Sequence, residues 1–338
     1  MSSDTQNAKQ VVLAFFRELD SASPESVENV LTRYTSEHYQ WRGCHPFNEI
    51  TSLNELSTSF WQPLKQSLKR IQRRQDVLMA AQNSLSDTPS VWVVSMGHLM
   101  GLLDQNWLGI PATHKMTFLR YCEFHEVSNG KIQQTAMFFD IPHLMVQAGV
   151  NPFPPQTGAF MVQPGPMTHN GVMVDAQPSE ESDKTLTLIN SMISDIGNWK
   201  NALSLEEELA LTWHDDMIWW GPAGIGASYT IERYAKQHSG PFREAFDDRI
   251  FNGHICRLAE GEFGGFFGWP NLTLTPRGGF MGMPAFNKPV DMRVIDIYRR
   301  DGDKLAENWV FIDLLHFWHQ QGLDVLGRLS RNHPSLPL

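Results

Sequence analysis

The chain of 338 residues carries a formal net charge of −10, with 41% hydrophobic and 11% aromatic content. That length suits two domains of ordinary size, and that apolar share excludes wholesale disorder. The acidic balance disfavours nucleic acid, whose binding rests on neutralising phosphates. Taken in chain order, the first half opens with helical patterns over 11–19 (VVLAFFREL) and 24–35 (PESVENVLTRYT). A short aromatic strand follows at 39–43 (YQWRG), then a helical stretch at 52–64. The basic patch KRIQRR at 69–74 falls in a helical-looking segment and reads as a solvated face. Strand patterns then cover 91–101, 114–127 and 132–140.

Residues 151–184, rich in proline and glycine, argue against an internal strand or helix and read as a linker. The expectation is that Phe160, Met161 and Met167 drape it over a domain. After it the order repeats: helices at 186–196 and 205–213, an aromatic strand at 217–222 (MIWWGP), and a helical stretch at 230–242. Strand-rich segments close the half at 253–269, 288–300 and 305–313. HDD at 214–216 reads as a solvated turn before a strand. NGK at 129–131 and DGDK at 301–304 are hairpin signals joining the last two strands of each half.

The repetition extends to single residues. Asp140, His143, Gln147 and Gly149 recur as Asp313, His316, Gln320 and Gly322, always 173 positions later. GIPATHK at 109–115 returns as GMPAFNK at 282–288 with the same offset. Helices followed by a meander give an α+β class: two tandem cones, each with helices packed on a curved antiparallel sheet. The domains expected are 1–150, the linker 151–184, and 185–338. Two copies in one chain suggest an intrachain pseudo-dimer and leave a further homo-oligomer open.

Cys44, Cys122 and Cys256 are far apart, forming neither a disulfide framework nor a thiolate metal site, and suggest a reducing compartment. The polar N-terminal stretch lacks a signal-peptide core, and no apolar run nears the ~18 residues of a membrane span. The expectation is a cytoplasmic protein with no membrane partner.

WWGPAGIG (219–226), PFREAFDD (241–248), GGFMGMPA (278–285), YRRDGDKLAENW (298–309) and FIDLLHFWHQQG (311–322) carry a family resemblance. Residues about 185–325 resemble the SnoaL-like polyketide cyclases of the NTF2-like, cystatin-like superfamily. Residues about 5–150 are similar but more divergent, so the whole looks like a tandem protein. The resemblance implies a hydrophobic pocket in each cone for a small carbonyl-bearing molecule. It also implies aldol-type chemistry without metal or organic cofactor, with an aspartate near the end of the last strand as general acid/base. That role falls on Asp313, and through the repeat on Asp140; read from the residues, His316, with His143 as its counterpart, and Trp309 are expected to assist. Where the family often has Thr-His-x-Gly, this chain has TPRGG at 275–279, and Phe286-Asn287 replaces Thr-Gly.

Read from the residues alone, Glu307, Trp309, Phe311 and Asp313 share one face of a strand. A carboxyl beside such aromatics loses hydration and gains proton affinity, as a base near neutrality requires. Asp313 is equally a helix N-cap before LLHFWHQQG, and Pro142 marks the corresponding helix start; both roles stay open. Substrate contacts are expected from Trp220, Trp269, Trp309, Phe311 and Phe138, and alternation lets about half of Trp219, Trp220, Phe266, Phe267 and Trp269 face a pocket. His316 and His319 could share a face with Asp313, but Val146 replaces His319 in the first copy, so no metal is expected. The glycines of EGEFGGFFG (260–268) are expected to permit bulges. Two other readings remain: a non-catalytic binding or scaffolding protein, and water addition of the epoxide-hydrolase type. Asp291, Arg293 and Asp296 are candidates for the latter by residue type.

Overall fold

The computed structural model describes residues 2–159, 163–197 and 203–332; Phe160 and Met161 lie outside them. Two compact units result. Unit 1 comprises Met1–Pro152, His169–Asp175 and Asp313–Leu338, and unit 2 comprises Phe153–Thr168 and Ala176–Ile312.

Unit 1 begins with α1 (Ser2–Ser21) and α2 (Val27–Tyr34). Val12, Phe15, Phe16 and Leu19 recur at helical spacing and are buried, which gives α1 its inward stripe. Burial of each such side chain contributes about 1.5–3 kcal/mol. Next come β1 (Thr35–Gly43), β2 (Asn48–Ile50) and α3 (Leu53–Leu56). A π-helical turn, Ser57–Trp61, leads into α4 (Gln62–Ser67). The meander is β3 (Leu68–Gln82), β4 (Val91–Leu103), β5 (Met116–Ser128) and β6 (Lys131–Phe139), followed by α5 (Ile141–Gln147). Among the described residues these strands form one six-stranded sheet, ordered β2-β1-β6-β5-β4-β3. The meander is antiparallel as expected, and β1 adds to it parallel to β6. Asn129 and Gly130 both take positive φ, 52° and 69°, as the hairpin turn there demands.

Unit 2 repeats the plan. It runs α6 (Ser179–Gly197), α7 (Leu205–Ala210), β7 (Trp213–Trp220), β8 (Ala227–Tyr229) and α8 (Ile231–Tyr234). A second π-helical turn, Ala235–Ser239, enters α9 (Gly240–Ala245). The strands are β9 (Phe246–Phe251), β10 (Cys256–Glu260), β11 (Phe263–Phe267), β12 (Leu272–Pro276), β13 (Val290–Met292), β14 (Val294–Asp301) and β15 (Lys304–Ile312). Here the sheet is divided: β10-β11-β14-β15-β7-β8 form one piece and β13-β12-β9 another. The last helices, α10 (Leu314–Gln320) and α11 (Val325–Asn332), belong to unit 1.

Several local readings change. KRIQRR is part of strand β3, not a helix, and Arg73 within it is buried rather than solvated. Its guanidinium pairs with Glu123 at 2.8 Å and Asp20 at 3.1 Å and lies over the Phe16 ring. HDD is already inside β7. The Gly264 and Gly265 positions pair in regular register, so no bulge explains them. A Cβ on Gly265 would stand 2.4 Å from the Asp296 carbonyl oxygen, so close approach of β14 is the reason for glycine. Between the halves, Ala159 bridges Ala227 in unit 2 and Val172 bridges Leu78 in unit 1. The Met167 side chain, expected to drape, is exposed; Met173 is the buried one.

Arg73→Met would leave the Glu123 carboxylate buried without its main cation. It should cost about 3–5 kcal/mol by urea unfolding at pH 7, and less at pH 5, where Glu123 can take up a proton. Equal loss at both pH values would show that the ion pair is not what holds this core.

Candidate functional site

Alternation along the strands of unit 2 builds a cavity on one face of the larger sheet. Val294, Asp296 and Tyr298 of β14 line it, as do Asn308, Val310 and Ile312 of β15. The register sets Asp296 between Phe266 and Val310, and Tyr298 opposite Asn308, which in turn lies beside Trp219 of β7. Met192, Ile193 and Ile196 of α6 form another wall. Tyr234, His238 and Phe242, on and around the π-helical turn, close a further side. The cavity has a volume of about 350 Å³, within the range of small-molecule sites.

Polar groups stand among the apolar ones here, and burial tunes several of them. Desolvation pushes the Asp296 carboxyl from its ordinary 3.8 up to about 7, against hydrogen bonds from Asn308 and Tyr298 that favour the charged form. The Asn308 Nδ2 group donates to Asp296 at 3.2 Å. Burial likewise raises both Tyr234 and Tyr298, keeping their hydroxyls protonated, with Asp296 adding to the effect. The His238 ring stacks on Trp219 at 4.1 Å, and burial holds it down to about 3. His254 stacks on Phe266 at 3.9 Å and is also held to about 3, by burial and then by Arg257. Both rings are therefore neutral across the physiological range. Arg243 is paired with buried Glu208. The lining thus offers one carboxyl poised near neutrality, two phenols, two neutral imidazoles, the amides of Asn271 and Asn308, and the guanidinium groups of Arg243 and Arg249 in a largely apolar wall.

Unit 1 carries a counterpart at the same sheet positions. Glu123, His125 and Thr135 precede Asp296, Tyr298 and Asn308 by 173 positions each. His125 Nδ1 and Thr135 Oγ1 are 2.9 Å apart, and the two residues face each other across β5 and β6. Burial alone would raise the Glu123 carboxyl, but the Arg73 guanidinium, with His125, brings it below the ordinary value. Its charge is matched inside the protein.

Of the residues singled out from sequence, Trp219, Phe266 and Asp296 line the cavity; the others fall elsewhere. Trp309 and Phe311 alternate with the lining residues of β15 and so occupy its opposite face, where Trp309 pairs laterally with Trp220. The Trp309 indole donates to the Pro164 carbonyl at 3.1 Å. Trp269 lies under the Arg293 guanidinium at 3.8 Å. Phe138 is fully buried in unit 1, opposite Cys122. Asp313 caps α10 by accepting from the His316 backbone N–H at 3.2 Å, and it also accepts from the His45 N–H at 3.0 Å. Asp140 caps α5 in the same way through His143 N at 2.9 Å. The ring Nδ1 atoms of His143 and His316 each lie 3.1 Å from the glutamine four residues on. Asp291 accepts from Thr273 at 2.7 Å. None of these residues lines the cavity; Asp296 alone of the named carboxylates does. Tyr234, His238, Tyr298 and Asn308 escaped sequence reasoning, although the polar steps in VIDIY and ENWVF carry a signal: Asp296, Tyr298 and Asn308 break otherwise apolar strands.

A model of the SnoaL-like polyketide cyclase family matches residues 269–321, agreeing with the resemblance read from the motifs there. The match covers Asp296, Tyr298 and Asn308. No curated protein sequence matches the chain. Solved structures resembling part of it include a candidate SnoaL-like polyketide cyclase from Jannaschia sp. CCS1, with 18% identity over 45% of this chain and 94% of that one, at a TM-score of 0.33. An NTF2-like protein from Burkholderia xenovorans LB400 has 13% identity over 41% and 95%, also at 0.33. The candidate polyketide cyclase IdmH from Streptomyces antibioticus has 17% identity over 40% and 98%, at 0.32. Among the described residues no helix is long and apolar enough to cross a membrane.

Asp296 has a folded-state value above its unfolded one, so the stability it contributes is full below about pH 4 and is lost as pH rises through about 7. Asp296→Asn should remove that loss. It is expected to melt higher than the parent at pH 8, by an amount on the order of a few kcal/mol in stability, and close to it at pH 4. Asp313→Ala, by contrast, should cost about 0.5–2 kcal/mol as a lost cap, with thermal melting as the measurement for both. No difference between Asp296→Asn and parent at pH 8 would mean the carboxyl is solvated.

Proposed function

We propose that unit 2 binds a hydrophobic, carbonyl-bearing small molecule and transfers a proton at the carbon beside its carbonyl, as in aldol closure or isomerisation. The observation that carries this reading is a carboxyl titrating near 7 in the wall of an apolar cavity. In its ionised form Asp296 takes the proton, and the C–H electrons pass into the carbonyl as an enolate. The protonated hydroxyl of Tyr298 or Tyr234 hydrogen-bonds to the enolate oxygen. Protonated Asp296 then returns the proton to the rearranged carbon or to the oxygen formed by ring closure. A group titrating near the working pH can both accept and return it. The resemblance to polyketide cyclases over 269–321 supports the same class of chemistry. Water addition to an epoxide would call for a second carboxylate, and Asp296 is the one carboxylate among the described lining residues.

The test needs no natural substrate. Exchange of the α-hydrogens of 2-tetralone in deuterated buffer, followed by proton NMR, reads proton abstraction directly. The full chain should accelerate exchange, with the rate rising through pH 7 as Asp296 ionises. Asp296→Asn should lose about 100-fold or more, while Asp313→Asn stays within a few-fold of the parent. Binding of the ketone with no acceleration would favour a non-catalytic binding protein, and loss in Asp313→Asn alone would return the acid/base role to the cap.

A further inference from the structure

Two guanidinium groups share the wall of the unit 2 cavity. Arg243 of α9 donates to buried Glu208 of α7 through both terminal nitrogens, with Nη1 at 3.1 Å. Arg249 of β9 is held differently. Its Nη2 donates to the carbonyls of Ile196 at 2.9 Å and Gly197 at 3.4 Å, at the end of α6. Those acceptors are neutral, so they orient the group without cancelling its charge. Burial pushes Arg249 down to about 10, Arg243 adds to the effect, and Glu208 opposes it. Two cations and one carboxylate leave this cluster with a net positive charge in a largely apolar wall. Such a charge is costly there, and an incoming anion would relieve it.

Unit 1 supplies an internal control. Over this stretch it precedes unit 2 by 178 positions: the π-helical turns begin at Ser57 and Ala235, and strands β3 and β9 at Leu68 and Phe246. By that offset Val30, Lys65 and Ile71 stand where unit 2 has Glu208, Arg243 and Arg249. Lys65 donates to the carbonyls of Asp20 at 3.2 Å and Ala22 at 3.1 Å, at the end of α1. One cation therefore suffices at the end of the first helix, where the helix dipole favours it. Unit 2 gives that task to Arg249 and adds Arg243 and Glu208, which the helix end does not require. Arg73, the cation that meets Glu123 in unit 1, is in turn replaced by Phe251, which lines the cavity. Unit 2 thus keeps its cations in the cavity wall and off the sheet carboxyl.

We propose that the molecule occupying the unit 2 cavity carries a carboxylate, bound by Arg249 with Arg243 beside it. A guanidinium presents paired, coplanar donors that fit the two oxygens of a carboxylate. One carboxylate also matches the net charge of the cluster, whereas a phosphate dianion exceeds it. Tyr234 indicates where the two ends of the ligand lie. Asp296 and the Arg243–Glu208 pair all act on its hydroxyl, whereas burial, Asn308 and Tyr298 account for Asp296. Tyr234 therefore stands between them, with the carboxylate towards α9 and β9 and the carbonyl towards Asp296. The substrate class is a hydrophobic oxo acid. The inference rests on the unit 2 cavity as the binding site of the proposed function, but not on Asp296 acting as a base.

The test compares 2-naphthoate with 2-acetonaphthone, which keeps the rings and the carbonyl but has a methyl group in place of the charged oxygen. Equilibrium dialysis against the full chain at pH 7.5 reads both affinities. The parent should bind 2-naphthoate about tenfold more tightly or better, as a charge-assisted hydrogen bond implies. Arg249→Gln should bring the two affinities to within about twofold while retaining 2-acetonaphthone binding, and Arg249→Lys should keep most of the preference. Glu208→Gln removes the carboxylate that offsets Arg243, so it should strengthen 2-naphthoate binding about threefold or more and leave 2-acetonaphthone unchanged. A pair that merely joins α7 to α9 would not give that gain, which decides the matter if Arg249→Gln fails to fold. Overturning results are a preference that survives in Arg249→Gln, no gain in Glu208→Gln, tighter binding of 2-naphthyl phosphate than of 2-naphthoate, or no binding of either naphthyl probe to the parent. Proton exchange in the parent without any preference for the carboxylate would overturn this proposal alone. Absence of proton exchange, with the preference intact, would uphold it and remove only the acid/base reading.

Discussion

A carboxyl enclosed by hydrocarbon must either meet a cation or give up its charge, and each unit answers that constraint differently at the same place on its sheet. In unit 1, Glu123 meets Arg73, and the surrounding side chains close over the pair. In unit 2, Asp296 has amide and phenol partners but no cation, so it holds its proton up to about pH 7. Much else follows from this choice. A matched ion pair removes any need for an outside partner, whereas a carboxyl poised between two protonation states is chemically available. One chain thus contains a charge-matched and an unmatched version of one arrangement.

Geometry around the constraint comes from two devices. Strand alternation sorts β14 and β15 into a cavity row and a packing row, so that Asn308 and Trp309, adjacent in sequence, meet different surroundings. The π-helical turns widen the helical segment at one place and bring an aromatic ring over a tryptophan, Phe60 over Trp41 and His238 over Trp219. Gly265 lets β11 approach β14 beside Asp296 without a side chain in the way. None of these devices is catalytic in itself, yet together they decide which side chains share the cavity.

Much of the fold was legible in the sequence. The order of helices and strands, the hairpin turns at Asn129-Gly130 and Gly302, and the tandem plan follow from local patterning and the 173-residue repeat. The site was legible only in part, for a specific reason. β15 is buried on both faces through most of its length, so hydrophobic alternation does not reveal which face looks inward. Choosing the row of Trp309, Phe311 and Asp313 led to the packing face and the cap, while Asp296 was named only by its type. Arg73 misled for the opposite reason: a run of charges suggests solvent, but its partners Asp20 and Glu123 are 53 and 50 residues away in sequence. Long-range charge matching leaves no local trace.

The chain also nests one unit within the other. Unit 1 includes residues from both ends of the sequence, and all of unit 2 lies between them. During synthesis, every strand of unit 2 has therefore been made before Asp313 and the helices after it emerge. Domains generally fold as units while the chain grows. Unit 1 therefore cannot be complete until the whole of unit 2 has been made, because α10 and α11 follow it in the chain. The half that begins first is the half that finishes last.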